Sequence, residues 1–193
     1  MNLKDGRAYC LPDGYEVKDS SLRDVQFCLS PTFSYSEVSC LNSNTSLARD
    51  VYGSSYLPGF IGLNNLTCTD DLSVLLHALA HVSPFRDFWL LHPMDGGGPG
   101  QVNSIARQFG LVMRKMWSGG NFKSSVSPQE LVQELSVASK KRFCAGQRSD
   151  CMDLLVWLLR QLHVGLALDR DKVDAHSILY YSTVVHLYAF WRE

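Results

Sequence analysis

From position 70 to position 168 the apolar residues recur at spacings of three and four, a pattern that limits this stretch to helices sharing one buried side. Leu72, Leu75, Leu76, Leu79 and Val82 form the first stripe, which starts near Asp70. Pro84 breaks or re-initiates that helix, and Phe85, Phe88 and Trp89 continue its apolar face. A second helix is predicted over 102–117, burying Val102, Ile105, Phe109, Val112, Met113 and Met116. The third opens on Ser127-Pro128-Gln129-Glu130. There Ser127 can cap, Pro128 suits the first helical position, and Glu130 can reach back to the cap amide. The fourth, over 150–168, carries Leu155, Val156, Leu159 and Leu162 and is apolar on much of its surface, so a central place is expected. The GGGPG run at 96–100 lacks the Gly-Lys-Ser/Thr ending of a phosphate-binding loop and reads as a flexible connection.

The first third is turn-rich. Ala8 to Leu11 fits the end of a strand, closed by the Pro12-Asp13-Gly14 turn. Residues 19–57 are mostly small and polar, which predicts a linker with one short helix over 37–47, and the helical signal strengthens after Leu57-Pro58-Gly59. With 193 residues, 46% of them hydrophobic, the chain can bury a core of about one domain. Its 18 basic and 19 acidic side chains leave a net charge of -1, which carries no general nucleic-acid footprint. Ile178 to Trp191, interrupted by Ser182 and His186, is too short for a membrane span, and MNLKDGRAYC has charges where a signal peptide needs an apolar run. A soluble intracellular protein is expected. The cysteines at 10, 28, 40, 68, 144 and 151 have irregular gaps and no CxxC pair, so reduced thiols are expected rather than a disulfide framework or a zinc site. The glycosylation-type triplets at Asn44 and Asn65 then carry no weight.

The segment with most chemical content runs from Gly62 to Leu79: a Gly/Asn-rich loop entering the start of an apolar helix. A helix start presents unpaired N–H groups and a partial positive charge. A cysteine there becomes a lowered-pKa thiolate. An aspartate there is a stabilised cap, worth about 0.5–2 kcal/mol.

This segment resembles the cysteine box of the ubiquitin-specific proteases, Gly-Leu-x-Asn-Leu-Gly-Asn-Thr-Cys-Tyr-x-Asn-Ser-x-Leu-Gln. Laid over the chain without gaps, Asn65 falls on the family's oxyanion-stabilising asparagine and Asp70 on its nucleophilic cysteine. Thr67 and Cys68 replace the Gly-Asn pair, and His77 stands where glutamine is usual. A second family box, Gln-Gln-Asp-Ala-His-Glu-Phe-Leu, is loosely similar to residues 148–155, chiefly at Asp150, Asp153 and the pair Leu154-Leu155. The phrases Tyr56 to Asn65, His77 to Phe88, Phe109 to Trp117, Asn121 to Pro128 and Ser139 to Phe143 are similar to the splicing-associated branch, which is catalytically dead. Tyr9 to Val17 resembles the last strand of a ubiquitin-hydrolase-type (UBP-type) zinc finger.

The resemblance implies an α+β protein that is mostly α in this chain. Residues 58–168 would form the helical thumb half of the papain-like protease fold. Residues 1–18 would end a UBP-type zinc finger, 19–57 would link the two, and 169–193 would be a tail outside the family pattern. A chain truncated at both ends is therefore expected. The resemblance further implies a nuclear, non-catalytic protein of pre-mRNA splicing that contacts spliceosomal snRNP proteins of the tri-snRNP. Zinc is expected only in a longer form with the complete finger, and no other cofactor, membrane or direct nucleic-acid site is expected. The alternative is an active or ubiquitin-binding deubiquitinase, although a helical half without palm and fingers would hold ubiquitin poorly.

The residues themselves bear on catalysis. Isopeptide hydrolysis needs a strong nucleophile, a base and an oxyanion hole. Asp70 is a poor amide nucleophile, Asn65 could still donate to an oxyanion, and Cys68 lies two residues early, where its sulfur is expected to point elsewhere. His163, His176 and His186 lack the surroundings of the family's histidine box. His77 and His81 have zinc-ligand spacing but no HExxH acid, and read as surface or half-buried histidines. Lys140-Lys141-Arg142 and Arg114-Lys115 read as solvated helix faces rather than phosphate contacts, and Trp117 and Trp157 as core. In the tail, Ile178, Tyr180, Ser182 and Val184 alternate like a strand.

Overall fold

The computed structural model describes residues 7–93 and 104–167. Val102, Leu168, the 96–100 run, His176, His186 and the 169–193 tail lie outside the described residues. A hairpin comes first: β1 (Ala8–Tyr9) pairs antiparallel with β2 (Glu16–Val17) across the expected turn, where the Gly14 N–H donates to the Cys10 carbonyl at 2.8 Å. Helices α1 (Arg23–Leu29) and α2 (Tyr35–Cys40) follow, then a second hairpin of β3 (Ala48–Arg49) and β4 (Ser55–Tyr56). The segment expected to be a linker is thus built of elements. Val38 of α2 and Tyr56 of β4 are buried in the common core, and α2 packs on α4. The short helix begins at Tyr35 because Ser34 and Glu37 form a reciprocal capping box, the Glu37 N–H donating to Ser34 Oγ and the Ser34 N–H to Glu37 Oε2.

The helical stack comprises α3 (Asp70–Ala80), α4 (Ser83–Leu91), α5 (Ser104–Trp117), α6 (Gln129–Ala138) and α7 (Cys151–Ala167). The first stripe is buried as expected at Leu72, Leu75, Leu76 and Leu79, and Pro84 sits in the first turn of α4, where its missing N–H costs nothing. The central helix is α5, which packs against α3, α4, α6 and α7 and buries Ile105, Phe109, Val112, Met113 and Met116. Each such side chain contributes about 1.5–3 kcal/mol of transfer free energy. The central place expected for α7 belongs to α5 instead, since α7 buries Leu155, Leu159 and Leu162 but exposes Met152, Val156 and Val164. Its start is capped by Asp150, whose Oδ1 accepts from the N–H groups of Met152 and Asp153, both at 2.9 Å.

Two further expectations change. Helix α6 starts one residue later than the Ser127 cap requires: Pro128 holds the N-cap position, no side-chain cap forms, and Glu130 instead faces Lys115. Arg114 does not lie on a solvated face; it is fully buried on α5, and Lys115 is half-buried. Arg114 lies on the face of α5 that carries Gly110, where α4 brings the Trp89 ring. Trp117 is core as read, its indole N–H donating to the Ala80 carbonyl at 3.2 Å, with the buried Arg86 guanidinium 4.6 Å over its ring. Gly59, at φ 88, donates its N–H to the Met116 carbonyl at 2.8 Å, and a β-carbon there would lie 2.6 Å from the Trp117 ring. That contact, together with β5 (Gly62–Leu63) running parallel to β6 (Ser125–Val126), fixes where the following loop begins. Among the described residues no helix is long and apolar enough to cross a membrane.

Candidate functional site

The loop 64–69 leaves β5 at a point pinned by the Asn64 N–H to the Val126 carbonyl (2.9 Å) and enters α3 at Asp70. Its shape is local. Asn65 Oδ1 accepts from the Thr69 N–H at 3.2 Å and from the Thr69 hydroxyl at 3.1 Å, and Thr69 Oγ1 in turn accepts from the Leu66 N–H at 3.0 Å. Closing so small a loop requires left-handed backbone, found at Thr67 (φ 74) and Cys68 (φ 51). A Gly-Asn pair tolerates those angles; a threonine and a cysteine do so only with strain.

Asn65 and Asp70 are brought together. The Asn65 amide donates from Nδ2 to Asp70 Oδ1 at 2.5 Å, and both side chains are exposed. Asp70 is the first residue of α3, so its carboxylate also lies in the positive field of the helix start. Among the described residues no histidine is bonded to either side chain. His81 ends α3, its ring nitrogen Nδ1 2.8 Å from the His77 carbonyl and its ring against Phe60 and Trp117. Burial, with a smaller push from His81, holds the His77 pKa below its ordinary value, which favours the neutral ring. His92 stacks on Phe88. His77 and His81 gather no third ligand, since no three His, Cys, Asp or Glu side chains group to hold a metal among the described residues.

Cys68 faces elsewhere. It lines a small cavity with Leu72, Val132, Leu135, Phe143 and Cys144, which neither Asn65 nor Asp70 lines. All six cysteines are free thiols.

The second box meets the first. The Ser149 N–H donates to Asp71 Oδ2 at 3.4 Å, and the Gly146 N–H donates to the Thr67 carbonyl at 2.8 Å. Burial, then the nearby Asp71 and Asp150 carboxylates, push the Cys151 thiol up, keeping it protonated and unreactive. Of the basic runs, Lys140 and Lys141 lie beyond α6 in left-handed backbone, and Arg142 pairs with Asp153 at 2.7 Å on the surface. That pair was not legible from the run itself, because it depends on the loop that returns residue 142 to α7.

Comparison with known proteins matches residues 61–190 to a family model described as ubiquitin carboxyl-terminal hydrolase. The match passes through 169–190, so the boundary expected near 168 is not where the family likeness stops. The probable mRNA-splicing protein ubp10 of Schizosaccharomyces pombe is 36% identical over 183 residues, covering 94% of this chain and 36% of that protein. Human ubiquitin carboxyl-terminal hydrolase 39 is 38% identical over 176 residues, covering 89% of this chain and 31% of that protein. This chain thus spans about a third of the length of the curated relatives it matches. A solved structure titled as an essential yeast splicing factor superposes with a TM-score of 0.73 at 23% identity, over 90% of this chain and 42% of that one. At that identity the likeness shows the fold alone.

Proposed function

The chain belongs to the ubiquitin carboxyl-terminal hydrolase family, and we propose that within it this is a non-catalytic module of pre-mRNA splicing, acting through protein contacts. One observation carries the reading: Asp70, which the resemblance lays on the family's nucleophile position, is a carboxylate already bonded to the amide of Asn65. Amide cleavage would need an unoccupied strong nucleophile there, a base beside it, and an asparagine amide free for the oxyanion. Here the helix start stabilises the carboxylate in its ground state, and the charge-assisted bond occupies the amide. Cys68 offers no replacement, since it lines a small cavity that neither Asn65 nor Asp70 lines. The splicing role is supported by the relatives, one of them a probable mRNA-splicing protein. Contacts with snRNP proteins, and action in the nucleus, follow as parts of the same proposal.

Two assays test it. A ubiquitin C-terminal suicide probe is expected to leave the chain unlabelled; labelling that disappears in Cys68→Ala would establish an active thiol and overturn the reading. A tagged chain is expected to co-purify spliceosomal snRNAs from nuclear extract. If a longer form carrying the rest of the family domain does so and this chain does not, the splicing contacts belong to the remainder.

A further inference from the structure

The β3–β4 hairpin carries apolar side chains outward. Tyr52 is 77% exposed, Val51 64%, and Leu47, just before β3, 66%. Phe122, 41% exposed, lies alongside, because the Val51 N–H approaches the Phe122 carbonyl at 3.4 Å. Scattered exposed apolar residues on a loose loop need no explanation. These sit on backbone that is tied down. Asp50 Oδ1 accepts from the N–H groups of Tyr52 (2.9 Å) and Ser54 (2.8 Å), while Oδ2 accepts from that of Ser124 (3.0 Å). Tyr56 Oη accepts from the Asn121 N–H and donates to the Ser118 carbonyl, and the Cys28 thiol donates to the Gly120 carbonyl. One carboxylate and one phenol thus lock the hairpin to residues 118–124 before any partner arrives, which lowers the ordering cost of binding.

Two cations stand at the hairpin and the segment beside it. Asp50 is turned inward with its oxygens occupied, whereas Arg49 and Lys123 are exposed and have no ion-pair partner among the described residues. We propose that this face docks an acidic peptide segment of a partner protein, with an aromatic or aliphatic side chain seated among Tyr52, Val51 and Phe122 and carboxylates meeting Arg49 and Lys123. A nucleic acid fits less well. Two cations in a chain of net charge -1 do not make the row that phosphates require. The proposal stands apart from Asp70 and Asn65 and does not depend on the splicing reading.

The test pans a random phage-displayed peptide library on the full chain, with the triple variant Arg49→Glu, Tyr52→Ala, Lys123→Glu as counter-target. All three side chains are exposed and, among the described residues, none is hydrogen-bonded, so the variant should melt with the native chain. Peptides selective for the native chain are expected to combine Leu, Phe or Trp with Asp or Glu, and a synthesised winner should lose about tenfold in affinity on Tyr52→Ala alone. Three results would each overturn the proposal: no enrichment over the counter-target, winners without acidic bias, or a uridine oligonucleotide that binds the native chain but not the variant.

Discussion

Thr67 offers the sharpest test of how the candidate site is built. Its φ of 74 places a β-branched residue in left-handed backbone, within a loop whose family pattern has glycine there. The exposed side chain makes no hydrogen bond among the described residues, while the backbone carbonyl that accepts from Gly146 survives any substitution. Thr67→Gly therefore isolates the backbone term. Left-handed geometry costs a residue with a β-carbon about 1–2 kcal/mol. Glycine returns part of that gain, about 0.5–1 kcal/mol, through the greater freedom of its unfolded chain. The expected net is a stabilisation of about 0.5–1 kcal/mol, which for a chain of this size raises the melting temperature by about 1–4 °C. Thermal unfolding followed by circular dichroism, repeated in urea, reads it directly. Thr67→Ala keeps the β-carbon and the strain, so it should gain much less. Were glycine neutral or destabilising, or alanine as stabilising as glycine, the strain argument would fail.

Gly59→Ala should act in the opposite direction: the left-handed φ of 88 and the 2.6 Å approach to Trp117 together imply a loss of about 2–5 kcal/mol, visible as a large drop in urea midpoint. Asn65→Ala removes the acceptor that holds Thr69 and should cost about 0.5–2 kcal/mol, whereas Asn65→Asp keeps that acceptor but sets a second carboxylate against Asp70, a defect that added salt should relieve. At Asp50, burial raises the carboxyl pKa, but hydrogen bonds from Ser54, Ser124 and Tyr52 outweigh it and hold the pKa below the ordinary value. A depressed folded-state pKa supplies stability above the unfolded pKa of about 4 and loses it as pH falls through the folded value. Asp50→Asn should accordingly flatten the acid limb of a stability-against-pH curve, and an unchanged limb would contradict the assignment.

Much of the helical stack was legible because amphipathic spacing is a local signal that tertiary packing must respect. The Leu72 to Leu79 stripe and the restart at Pro84 are of this kind. The segment 19–57 was harder to read, since its elements are short and their stabilisation is not periodic. A two-residue strand such as β3 is held by the Asp50 carboxylate reaching a backbone amide 74 positions away, at Ser124. The sequence carries one local cue to this segment: Ser34 followed by Glu37 is a capping-box signature. Arg114 is hidden for a different reason: a basic residue late in a helix is ordinarily solvated, and only the packing of neighbouring helices around α5 encloses this one. At the candidate site the motif singled out Asn65 and Asp70, but their direct bond, and the place of Cys68 on a small cavity that neither of them lines, depend on backbone angles that no spacing encodes.

The strained loop persists where the non-catalytic reading leaves it no chemistry to serve, and its contacts account for that. The Thr67 carbonyl accepts from Gly146, and Asp71, just inside α3, accepts from Ser149. The same turn that would present a nucleophile therefore also seats the segment leading into α7, and α7 covers both α3 and α5. Relaxing the left-handed path wholesale would move the anchor of a core helix, whereas exchanging one exposed side chain at position 70 would not. On the proposed reading an aspartate at position 70 is thus the inexpensive exchange: it offers no strong nucleophile, keeps a favourable charge at the helix start, and leaves the scaffold intact for surfaces such as the β3–β4 face to be displayed.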